Sequence, residues 1–141
     1  MRRRDLIAAS ALLPAVAVAD RALASEDAPA SAPALGIPGV GLPVIAGGRI
    51  RNYVFVTLRL HLGGHATPET MRGKEAFFRD AIVRAAHRTP FTVANDWTRL
   101  DATAISASLM RSAVAIAGRG SITRVEVVNQ SPRRRTGVRS A

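Results

Sequence analysis

Between positions 53 and 62 a wholly apolar set of side chains alternates with a mixed one. Val54, Val56, Leu58, Leu60 and Leu62 fall on one side of the period, and Tyr53, Phe55, Thr57, Arg59 and His61 on the other. A period of two, rich in β-branched and aromatic residues, predicts a strand with one face in a core. Gly63-Gly64 ends it. Whatever else the chain does, it must cover that apolar face.

Residues 49–130 supply the cover. Thr67-Pro68-Glu69 has the hydroxyl, the proline and the acid of a helix start. Met71, Phe78, Ala81, Ile82 and Ala85 then share one arc of a helix, with Arg72, Arg79, Asp80, Arg84, His87 and Arg88 on the other side. Gly73 weakens the first turn, so the regular part is expected from about Lys74, and the residue before Pro90 stops it. Asp101 caps a second helix over 102–117, with the stripe Ile105, Leu109, Ala113 and Ile116, and Gly118 closes it. A last strand over 122–128 places Thr123, Val125 and Val127 on one face and Arg124 and Glu126 on the other. The expected fold is α+β, a small sheet covered by two helices in the order strand, helix, helix, strand.

Two strands seldom make a stable sheet in water. A third must come from the segment before residue 49, from Phe91-Thr92-Val93, or from a neighbouring subunit, and this shortage argues for self-association. The domain is also close to the lower size limit for an independent core. The chain has no cysteine, so no disulfide compensates, and thiol catalysis is excluded.

The flanks carry other information. Arg3-Arg4-Asp5-Leu6-Ile7 opens an apolar stretch of 14 residues, from Leu6 to Ala19, followed by Ala22-Leu23-Ala24 before Ser25. Residues 1–24 thus read as a twin-arginine signal peptide: the motif is Arg3, Arg4, Leu6 and Ile7, and the cleavage site is Ala22, Ala24 and Ser25. The stretch is short against the roughly 20 residues of a membrane-spanning helix. A periplasmic destination is expected, with the domain near a membrane. Residues 25–48, rich in Ala, Pro and Gly, read as a linker whose second half, with Ile37, Val40, Leu42, Val44 and Ile45, is able to dock at an edge. Residues 131–141 read as a disordered basic tail.

The formal charge is +10, and cleavage after Ala24 removes four arginines and two aspartates to leave +8. Charge of this size selects partners rather than folds. Outside the cytoplasm, nucleic acid is a poor partner; an anionic membrane surface or an acidic protein is a better one. The candidate contact surface is Arg79, Arg84 and Arg88 on the first helix together with Arg133, Arg134 and Arg135.

Catalytic chemistry is not expected. His61 and His65 lack a third ligand at metal spacing, so neither a metal nor another cofactor is predicted. Ser106, Ser108 and Ser112 have no base or oxyanion hole beside them, and Gly118-Arg119-Gly120 lacks the spacing of a phosphate loop. Asp101 is accounted for as a cap, and Asp80 as a partner for Arg84 four residues on.

Residues 53–62, the helix step Phe78-Arg79-Asp80-Ala81-Ile82, the second helix and the closing Ile122-Thr123-Arg124-Val125-Glu126-Val127-Val128-Asn129-Gln130 resemble the C-terminal domain of the flagellar basal-body protein FliL. The resemblance spans most of residues 50–130. It implies a periplasmic domain related in fold to stomatin-like modules, which assemble into rings around membrane machinery and catalyse nothing. The expected function is that of an exported interaction and assembly protein. The alternative is a module that binds a small ligand or polysaccharide through the loop from Phe91 to Trp97.

Overall fold

The computed structural model describes residues 32–135, and the export motif, its cleavage site and the ends of both flanks lie outside that span. The chain forms strand β1 (Ala34–Ala46), strand β2 (Arg49–Leu62), a single-turn helix α1 (Pro68–Arg72) and helix α2 (Glu75–Arg88). Strands β3 (Thr92–Val93) and β4 (Asp96–Leu100), helix α3 (Ala102–Ala117) and strand β5 (Ile122–Pro132) follow. The class is α+β as expected, but the order is β β α α β β α β, and β2 is the centre of an antiparallel sheet ordered β1-β2-β5. Two helices lie on one face of this sheet, α2 against β1 and α3 against β5.

The third strand is β1, so the second half of residues 25–48 is core and not linker. Leu35, Ile37, Val40, Leu42 and Val44 are all buried. The pattern is hidden because Ile37 pairs with Leu58 and Val40 with Val56, so one extra residue bulges out at Pro38-Gly39. That bulge moves the inward positions from odd to even numbers. Gly39 takes φ 63, as such a kink favours, and Pro38 and Pro43 are tolerated because β1 is an edge strand. Gly47 and Gly48, both at positive φ, close a two-residue turn to β2. Because one chain supplies all three strands, strand count no longer argues for a second copy.

The alternating strand is as the period predicted: Val54, Val56, Leu58, Leu60 and Leu62 are buried against Phe78, Ile82, Ile105 and Leu109. The first predicted helix divides at Gly73. Thr67 and Thr70 cap α1 reciprocally, and Lys74 starts α2. Asp101 accepts from the Ala104 N–H at 3.1 Å to begin α3, and Gly118 ends it.

β5 departs from the expected alternation twice. Leu62 pairs with Ile122 but His61 with Arg124, so Thr123 is the extra residue and is exposed rather than in the core. Its hydroxyl donates to the His61 carbonyl oxygen at 3.2 Å. A second bulge, at Val128, turns Gln130 and Pro132 to the core face, opposite Val56 and Val54. The strand then continues through Ser131 and Pro132, and the Arg133 N–H donates to the Tyr53 carbonyl oxygen at 2.8 Å. Residues 131–134 therefore belong to the sheet end and not to a disordered tail.

The β3–β4 ribbon joins the sheet through side chains. Thr92 Oγ1 accepts from the Ile45 N–H (3.1 Å) and donates to its carbonyl oxygen (2.8 Å). Gln130 does the same for Leu100, accepting from its N–H at 2.7 Å and donating to its carbonyl at 3.1 Å. The ribbon is thereby tied to both edge strands. Phe91 and Leu100 bury beneath it.

Candidate functional site

The tip of the β1–β2 hairpin, the β3–β4 ribbon and the end of β5 converge through one side chain. Asn52 is 4% exposed, and its Nδ2 donates to the carbonyl oxygens of Trp97 (2.8 Å) and Arg134 (3.0 Å). Its Oδ1 accepts from the N–H groups of Tyr53 (2.9 Å) and Arg134 (3.2 Å). All four of its hydrogen-bonding positions are filled. A buried amide so satisfied holds its neighbours in place at little desolvation cost.

What it positions is a group of cations. Arg49 and Arg51 flank Ile50 just after the Gly47-Gly48 turn, and Arg133, Arg134 and Arg135 follow β5 beside them. Ile50, Arg51, Asn52, Tyr53, Arg133 and Arg134 line a notch of about 180 Å³. Arg51 Nε donates to the Ala46 carbonyl oxygen at 3.0 Å, and its guanidinium carbon lies 5.4 Å from the centre of the Trp97 ring. Cation–π stacking of this kind fixes the charge while leaving it unneutralised. Among the described residues no carboxylate pairs with any of these five arginines.

The six arginines predicted as one surface fall into two groups. On α2, Arg79 pairs with Glu75 (3.1 Å) and donates to the Pro38 carbonyl oxygen (3.0 Å), while Arg84 pairs with Asp80 (3.0 Å). Arg88 has no acidic partner among the described residues, so that stripe is largely neutralised at home. Arg133, Arg134 and Arg135 instead join Arg49 and Arg51, which sequence reasoning did not include. The overlooked signal was Gly47-Gly48 between two apolar strands, which reads as a hairpin turn and places both arginines at its tip.

A second group of ionisable side chains, Arg59, His61, Arg124 and Glu126, gathers on the uncovered face of the β2–β5 pair. Glu126 Oε2 lies 3.0 Å from His61 Nε2, 3.7 Å from Arg124 and 3.9 Å from Arg59. Arg124 also comes within 3.0 Å of the same His61 nitrogen. That nitrogen cannot donate to the carboxylate and accept from the guanidinium at once. The Nε2–H form satisfies Glu126 and leaves Arg124 to attract the carboxylate through space. The hydrogen bond from His61, then the two arginines, hold Glu126 below the ordinary carboxylate range. On β4, the hydroxyl and N–H of Thr98, then Arg99, lower Asp96 likewise.

Among the described residues no three His, Cys, Asp or Glu side chains cluster as metal ligands, and no helix is long and apolar enough to cross a membrane. His65 lies in the loop after β2, apart from the His61–Glu126 pair. Trp97 packs half-buried on the core edge and Phe91 inside it. No family model, curated protein or solved structure matches this chain.

Proposed function

We propose that this chain is an exported, non-enzymatic interaction and assembly protein that docks on an anionic membrane surface through its arginine-rich end. One observation carries the reading: five arginines without acidic partners project beside the exposed side chain of Ile50, and a buried amide holds part of the group in place. Each basic residue near an anionic leaflet contributes about 1 kcal/mol. The periplasmic setting follows from the export-type N-terminus, and the FliL-like, flagellar setting from the resemblance over residues 50–130. Both belong to the proposal, as does self-association.

Co-sedimentation with phosphatidylglycerol and phosphatidylcholine vesicles tests it. Binding is expected to the anionic vesicles only, falling from low to physiological salt. Combining Arg51→Gln, Arg133→Gln and Arg134→Gln removes about 3 kcal/mol, roughly a hundredfold in affinity, while Arg84→Gln changes little. Binding that ignores salt, or that survives the triple substitution, defeats the proposal.

A further inference from the structure

Where α2 and α3 lie side by side, their packing leaves a cleft of about 440 Å³ at the C-terminal end of α2. This is within the range of small-molecule sites. Its apolar part is Phe91 and Pro90 with the small side chains of Ala85, Ala104 and Ala107. Its polar part comes from one face of α3, where Ser108, Arg111 and Ser112 are neighbours at helical spacing, with Arg88 contributed by α2.

Two features make this more than a gap between alanines. Ser108 is only 7% exposed and its hydroxyl has no hydrogen-bond partner among the described residues. A buried hydroxyl left in that state is costly. Ser112 gives its proton to the Ser108 carbonyl oxygen at 3.3 Å, which leaves its own oxygen without a donor. In addition, neither Arg88 nor Arg111 has an acidic partner among the described residues. The cleft thus lines up a donor in need of an acceptor, two unneutralised guanidinium groups and an apolar wall.

We propose that this cleft binds a short amphipathic carboxylate. The carboxylate is held by Arg88 and Arg111 and accepts from the Ser108 hydroxyl, and a short hydrocarbon body lies against Phe91 and Ala104. The site is separate from the arginine-rich end and does not depend on it.

Titration of the folded chain with hexanoate, followed by calorimetry and amide chemical shifts, tests the assignment. Hexanoate is expected to shift the amides of Ser108, Arg111 and Ser112. Acetate, lacking the body, and hexanol, lacking the charge, should each bind at least about tenfold more weakly. Arg111→Gln removes a charge-assisted contact and should weaken hexanoate about tenfold or more. Arg111 is exposed, so this variant keeps the fold. Ser108→Ala should weaken hexanoate without destabilising the protein, and Arg133→Gln should leave it unchanged. Absence of shifts at millimolar hexanoate overturns the proposal, as does binding that is insensitive to Arg111→Gln. Equal affinity for acetate overturns it as well, because the apolar wall then contributes nothing.

Discussion

Asn52 and Arg134, 82 positions apart, exchange two hydrogen bonds as paired strand residues do, with a side-chain amide standing in for one backbone. Removing the amide leaves the Trp97 carbonyl and the Arg134 backbone without partners. Asn52→Ala is expected to cost about 2 kcal/mol or more in urea denaturation. It should also speed tryptic cleavage after Arg133 and Arg134, because the end of β5 is no longer held. Unchanged cleavage would mean that the backbone ladder alone retains that segment.

Gln130 repeats the device at Leu100, so it reports on how the ribbon is attached. Gln130→Ala is expected to cost about 1–2 kcal/mol. Gln130→Glu is worse at neutral pH, because a carboxylate then faces the Leu100 carbonyl oxygen. Its protonated form can donate to that oxygen, so the deficit of this variant should shrink on acidification. Denaturation midpoints of wild type and both variants across pH check this.

Ile37 is fully buried opposite Leu58. Ile37→Ala should therefore cost about 2–4 kcal/mol, as a core truncation does. A flexible linker would lose nothing measurable at the same position, so thermal unfolding of this single variant separates the two descriptions.

Glu126 and Asp96 are both held below the ordinary carboxylate range by the contacts they make when folded. A lowered folded value means that the unfolded chain takes up the proton first. The contribution is thus complete above the ordinary carboxylate range and is lost as pH falls through the folded value. Melting temperature should drop in that acid window. Glu126→Gln and Asp96→Asn should each flatten the drop.

Where the polypeptide repeats a simple period, residue identity alone was enough. The alternation from Tyr53 to Leu62, the Asp101 cap, the stripe of α3 and the Asp80–Arg84 pair were all legible, because each depends on neighbours within a turn or two of the chain. The bulges at Pro38-Gly39, Thr123 and Val128 were not. Each inserts one residue against an unbulged partner strand, and only the pairing register shows that the inward parity has changed. That is why β1 reads as linker and Thr123 as sharing a face with Val125 and Val127. The sites depend on the same long-range register. Local sequence set the supply of arginines and serines, but their grouping was decided by Asn52 clasping Trp97 and Arg134 and by the packing of α2 beside α3. Contacts between residues so distant in the chain leave no period for a linear reading to detect.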